Sequence, residues 1–484
     1  MSQTDPFAGI EPRALWSHFS AFTKIARPSG QEAAIAAHVR DWAASRNLEA
    51  VVDAVGNVIV RVPATKGREK APTVILQGHL DMVCERNASS PHDPERGDIH
   101  VVRDGDFLRA DGTTLGADNG IGVAAGMAVA DDPTVVHGPL ELVMTIDEET
   151  GMTGAQGLDG SLLKGRIMLN LDSEEDTALF VGCAGGGDLR FQFEGTRAKV
   201  EGTALAVKVE GLQGGHSGID INNNRANAIH TLVRLVQEGA KVSPVCLASI
   251  AGGSKRNAIP REAHAVVVVP ADKEAAFRAA LKTLVEDLRF QFKGLDDGLD
   301  VKVEAASASD AFGVADSARL LDFLRAMPSG VVAMSKDLAG LVESSTNLGV
   351  VSTKGNEVEI LTLARSSVMP ALRDMLDAQT GLARLAGIKS EYLGGYPGWK
   401  PNMESKVLDV TRKAYARLFG HEAGITAIHA GLECGLIGER IHGMDMVSFG
   451  PLLVGVHAPN EKVSIPSAQK FWKLLGAVLD DLSA

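Results

Sequence analysis

Two segments, "TVILQGHLDMV" and "LELVMTIDEE", constrain this chain more than any other feature. Each is a nearly continuous apolar run, and a strand apolar on both faces has to be covered on both faces. Between them lies "DNGIGVAAGMAVADD", a helix of small residues that can approach such a sheet closely. "ALWSHFSAFTKIA" and "QEAAIAAHVRDWAASRN" are amphipathic helices. "LEAVVDAVGNVIVRVP" reads as a pair of strands turning at Gly56-Asn57, and "RIMLNLDSEE" as a further strand ending in acids. The expectation is an α/β domain whose sheet is sandwiched by helices.

At 484 residues the chain is long for one core, so two or three domains are expected. A glycine cluster in "VGCAGGGDLR" marks a change of texture. Beyond it, strands such as "TALAVKVEG" and "LDVKVEAAS" alternate apolar with polar residues, as in a sheet with one solvated face. A strand–helix–strand pattern occurs twice: "HAVVVVP" to "DVKVEAAS", and "NEVEILTLA" to "IKSEYL". After "GGYPGW" the first texture returns, with a strand "MDMVSFGPLLVGVHAP" and a helix "SAQKFWKLLGAVLDDL". The simplest organisation is a discontinuous catalytic domain, 1–185 and 397–484, interrupted by an inserted α+β domain, 186–396.

Net charge is −13, which leaves no basic footprint for nucleic acid and disfavours an anionic membrane surface. The N-terminus "MSQTDPFAGIEPRALW" lacks the basic and apolar regions of a Sec signal, and no apolar run reaches transmembrane length. Cys84, Cys183, Cys246 and Cys434 are widely spaced and suggest neither a disulfide framework nor a zinc finger. A soluble cytoplasmic protein is expected.

Residues able to bind a metal collect at strand ends. His79 and Asp81, at i and i+2, point to the same side of a strand. Asp118 opens the small-residue helix, where it is either a cap or a carboxylate favoured by the helix dipole. Asp172 and His457 end other strands, and Asp147, Glu148 and Glu149 follow "LELVMTI" directly. An isolated acidic triplet is ordinarily a solvated turn. Here it belongs to a set of ligand types gathered where open α/β sheets build their sites.

With His79, His457, Asp118, Glu149 and Asp172 as ligands, three carboxylates leave two divalent cations one positive charge in excess, which a bridging hydroxide would cancel. Nitrogen and oxygen ligands without thiolate suit Zn²⁺, with Mn²⁺ or Co²⁺ as substitutes. One acid of the triplet then stays unligated as a general base, because successive residues of an extended segment point to opposite sides.

The motifs "RPSGQE", "ILQGHLDMV", "TTLGADNGIGVA", "TIDEETGM", "LNLDSEE", "VGCAGGGD", "GGHSGIDI", "KRNAIP", "HAGLECGL" and "VHAPNEKV" resemble, in order over essentially the whole chain, those of the M20 metallopeptidases. The likeness is to their aminoacyl-histidine (Xaa-His, cytosol non-specific) dipeptidase branch. Two departures, "ARPSG" and "HDPERGDI", touch no ligand position. The resemblance implies a di-zinc catalytic domain and an inserted lid through which a homodimer forms. It implies that His79 and Asp172 hold one metal, Glu149 and His457 the other, and Asp118 bridges them. Asp81 would orient His79, and Glu148 would be the base, which settles the two glutamates; Asp147 receives no role. His216 in "GGHSG" would stabilise the oxyanion, acting on the partner subunit's site. Asn257 and Arg365 would contact substrate from the lid, Arg365 gripping a terminal carboxylate, and Glu433 would receive an α-amino group. The expected reaction is dipeptide hydrolysis of Xaa-His type, β-alanyl-histidine included. The alternatives are an amidohydrolase of N-acyl amino acids and an inactive binding relative; no ligand or base is missing, as the latter would require.

Overall fold

The computed structural model describes residues 5–484. The chain divides into two compact units: Met1–Gly182 with Pro401–Ala427 and Leu432–Ala484, and Cys183–Lys400 with Ile428–Gly431.

The first unit is built on an eight-stranded mixed sheet in the order Glu49–Val52, Val58–Val62, Leu140–Thr145, Val74–His79, Ile167–Asn170, Asp445–Ser448, Ala178–Cys183, Gly424–Ile428. Val74–His79 runs parallel to both its neighbours, and Val58–Val62 runs antiparallel to Leu140–Thr145. Every residue of Val74–His79 and of Leu140–Thr145 is buried, as their continuous apolar character requires. The helix Ala117–Asp131 is buried along most of its length, and its small residues are a steric necessity. A Cβ on Gly122 would lie 2.5 Å from the Leu171 carbonyl oxygen. The turn at Gly56 is held by Asp53, whose carboxylate accepts the N–H groups of Val55, Gly56 and Asn57.

The segment "MDMVSFGPLLVGVHAP" is not one strand. It breaks after Asp445–Ser448 and resumes as Leu453–Val454 in a separate four-stranded sheet. Gly450 passes so close to Ser173 that a Cβ would sit 1.8 Å from its carbonyl oxygen, and Pro451 supplies no N–H to extend a ladder.

The second unit contains a nine-stranded sheet, antiparallel at each pairing, with helices Ala228–Ala240, Glu274–Gln291, Val314–Ala326 and Met369–Leu385. Both strand–helix–strand repeats are split βαβ units. Ala263–Val269 and Asp300–Ala305 each pair with Thr203–Glu210, which lies between them. Glu357–Ser366 and Lys389–Tyr396 likewise flank Gly185–Glu194. The core joins Phe191, Val207, Leu232, Phe277, Phe323 and Ile360. Among the described residues no helix is long and apolar enough to cross a membrane.

Candidate metal centre

His79 is the last residue of its strand, and Asp81 follows two positions on; both are fully buried. The ring of His79 is gripped on both sides. Its Nδ1 lies 3.3 Å from Asp81 Oδ1, while its Nε2 lies 3.0 Å from Asp118 Oδ1 and 3.4 Å from Asp172 Oδ1. The second histidine, half-exposed, repeats the pattern: His457 Nε2 is 2.8 Å from Glu149 Oε2 and 3.3 Å from Asp118 Oδ2. Asp118 therefore offers one oxygen to each ring. A single ring N–H can satisfy one carboxylate, yet at each histidine two converge on the same nitrogen, the arrangement a cation collects around itself.

Electrostatics point the same way. Burial opposes a charged His79, but Asp172, Asp118 and Asp81 outweigh it and hold its pKa well above the ordinary value. Hydrogen bonds donated to Asp118 and Glu149 push His457 up to about 11. Burial, reinforced by Asp118, raises Asp172 far above the usual carboxylate range. Glu148 is raised in the same way, by burial and then by Asp172, Glu433 and Glu149. Such a concentration of buried negative charge calls for positive charge to balance it. Ligand atoms of His79, Asp118 and Asp172 lie within 4.8 Å of one another, as do those of Asp118, Glu149 and His457; His79, Glu148 and Glu149 form a third such group. All are nitrogen or oxygen donors, so the residues present fit a dinuclear centre of borderline or hard divalent cations.

Asp81 holds more than one ring. Its carboxylate accepts the backbone N–H of Glu148 and of Glu149, each at 3.1 Å, and the Ser29 hydroxyl at 2.7 Å. Asp147 shapes the turn beside them: its φ is +56°, and its carboxylate accepts the hydroxyls of Thr150 and Thr153.

Asp118 is presented differently from the expectation. Asp118 and Asn119 have non-helical backbone angles, so the regular helix begins after them. Two buried residues that the sequence reading did not single out clamp the loop before it. Glu461 accepts the N–H groups of Leu115, Gly116 and Ala117 at 2.7, 3.0 and 2.8 Å. Arg27 donates to the Gly116 carbonyl and to those of Leu80 and Asp81, the latter two at 3.0 and 2.8 Å. Both residues lie inside motifs quoted above, yet their partners are backbone atoms, which no side-chain pattern reveals.

Glu433, also in the first unit, is fully buried at the start of a short helix. One oxygen accepts from Gln77 at 2.5 Å and Thr145 at 2.6 Å; the other has no partner, and burial pushes the carboxyl up to about 7.

The remaining candidates belong to the second unit. His216 Nδ1 accepts the N–H groups of Gly218 and Ile219 at 3.2 and 3.1 Å, which places the proton of the neutral ring on Nε2. Burial, then nearby Arg365, lowers its pKa. Arg365 is buried, donates to the Tyr396 hydroxyl at 2.6 Å, and leaves its Nε without a partner. Asn257 is exposed, and its carbonyl accepts from Ser217. His429 joins this group unforeseen: its Nε2 lies 2.7 Å from Ser345 Oγ, and burial followed by repulsion from Arg365 and His216 takes it down to about 4.

Residues 75–481 match the profile of peptidase family M20/M25/M40. This chain belongs to that family. It is 40% identical over 480 residues to the cytosol non-specific dipeptidase of Escherichia coli (strain K12), covering 98% of this chain and 99% of that one. The crystal structure of aminoacylhistidine dipeptidase from Vibrio alginolyticus superposes with a TM-score of 0.92 at 39% identity, over 99% of this chain and 98% of that one. Aminopeptidase PepT from Bacillus cereus, at 16% identity and a TM-score of 0.57 over 98% of this chain and all of that one, shares the M20 fold.

Proposed function

We propose that this M20 peptidase is a cytosolic, metal-dependent dipeptidase that hydrolyses Xaa-His and other dipeptides. The names of its full-length relatives support the substrate class, and one observation carries the chemistry: Asp118 turns its two oxygens to two different histidines. In this reading His79 and Asp172 hold one metal, Glu149 and His457 the second, and Asp118 bridges them. The natural choice is Zn²⁺, two per subunit, with Mn²⁺ or Co²⁺ as functional substitutes. When bound, such ions supply Lewis acidity toward water and the scissile carbonyl.

The side chains do the rest. Glu148, with a raised pKa and a backbone fixed by Asp81, takes a proton from the attacking water and returns it to the departing amine as the C–N bond breaks. Asp81, 3.3 Å from Nδ1, orients His79. His216 offers Nε2–H to the oxyanion; we place it in the active site of the partner subunit of a homodimer formed through the second unit. Arg365 grips the terminal carboxylate with paired hydrogen bonds, and Asn257 contacts the substrate. Glu433 directs its unpartnered oxygen to the α-amino group.

The test is a dipeptide panel, with β-alanyl-histidine among its members, run on metal-stripped protein reconstituted separately with Zn²⁺, Mn²⁺ and Co²⁺. Metal-dependent turnover of dipeptides is expected. Faster turnover of N-acetyl amino acids would replace this reading with an amidohydrolase.

A further inference from the structure

The second unit contains a cavity of about 390 Å³ lined by residues of helices, strands and loops. Three arginines, Arg225, Arg234 and Arg325, line it together with His230, Asn227 and Asn347, and no aspartate or glutamate is among its lining residues. That is unusual in a chain of net charge −13. His230 and Arg234 stand one turn apart on the helix Ala228–Ala240 and so share a face. Arg325, in the last turn of Val314–Ala326, repels both of them.

Ordinary structural roles account for part of this wall. Arg325 suits a helix C-terminus. Arg225 donates to the Gly214 carbonyl and lies 3.5 Å from Asp220, while Arg234 donates to Gln291 at 2.8 Å and has the charge of Asp287 nearby. They do not account for the convergence of cations on one hollow; His230, whose buried Nε2 makes no well-formed hydrogen bond, has the backbone of Met327 and Leu324 near its ring. Burial and the neighbouring Arg325 hold that imidazole neutral, down at about 4. Fixed cations converging on a cavity of this size suit an oxyanion carrying two charges.

We propose that this cavity is a binding site for a small phosphate-bearing anion, with Arg234 and Arg325 as its principal charge partners. The chemistry is shared by free phosphate and by a small phosphate monoester, for which the volume leaves room.

The test is isothermal titration of the metal-loaded protein with inorganic phosphate and, separately, ribose 5-phosphate, at constant ionic strength. Saturable binding is expected, weakened about tenfold or more in Arg234→Gln/Arg325→Gln, since charge-assisted contacts are lost. Tighter binding of ribose 5-phosphate would assign the site to the ester, and equal binding to phosphate itself. The exposed Arg325→Gln alone provides a variant whose fold is not at risk, and it too should bind more weakly. Unchanged affinity in these variants would place the anion elsewhere, the metal centre included, and overturn the proposal. So would the absence of saturable binding, or heats reproduced by chloride.

Discussion

Glu148 and Glu149 are neighbours with backbones held by the same carboxylate, yet their side chains stand in different company. Glu149 meets His457, whereas Glu148 stands near His79 and among the acids Asp172 and Glu433. Glu148→Gln should therefore keep both metals and lose about two to four orders of magnitude in kcat, the usual worth of a general base. Glu149→Gln removes a charged ligand, so its metal content should fall. Elemental analysis beside kcat separates the two, and depletion in Glu148→Gln with full loading in Glu149→Gln would reverse the roles. The sequence made these residues visible because a carboxylate following a buried strand is out of place. Glu461, Arg27 and His429 carried no such signal. The first two bind backbone atoms, and the third depends on which unit a four-residue segment, Ile428–Gly431, packs with. Their roles exist only once the chain is folded.

At the level of elements, continuous apolar runs located the central strands, and alternation located the second sheet, because burial on one face or two is written directly into residue order. The strand predicted over "MDMVSFGPLLVGVHAP" failed for a local reason, the close passage at Gly450 followed by Pro451. The loop 115–117 offers a sharper test of element-scale reasoning. Glu461→Ala would leave three buried N–H groups without acceptors, at about 1–3 kcal/mol for each unsatisfied group. Thermal unfolding should show a loss of at least several kcal/mol. Metal affinity should fall as well, since the loop presents Asp118; an unchanged Tm would mean that water replaces the carboxylate. Two buried histidines of the second unit set its acid sensitivity. His230 and His429 both lie at about 4 rather than the ordinary 6.5, so the unfolded chain binds their protons first. Stability should be fully present above pH ~6.5 and fall as pH drops toward ~4, by at most about 3 kcal/mol per histidine. His429→Gln should flatten that slope in urea melts at a series of pH values, and an identical slope would remove His429 as a cause.

On the scale of the whole molecule, the chemistry is divided. The first unit carries the candidate metal ligands and the base, and the second carries His216, with its proton directed to Nε2, and Arg365. A histidine that works on the partner subunit's site makes a prediction no single-chain arrangement shares. His216→Ala should retain its metals and lose about 10²–10³ in kcat, the usual cost of an oxyanion donor. Mixing His216→Ala with Glu148→Gln subunits then distinguishes the two connections. With His216 in trans, a mixed dimer has one site lacking both groups and one site with both, so activity returns as subunits exchange. With His216 in cis, each site of the mixed dimer still lacks one group, and nothing is regained. Exchange is followed independently by native mass spectrometry of isotopically distinct subunits. Mixed dimers without recovered activity would defeat the trans arrangement, and a fully active monomer would defeat it before any mixing was done.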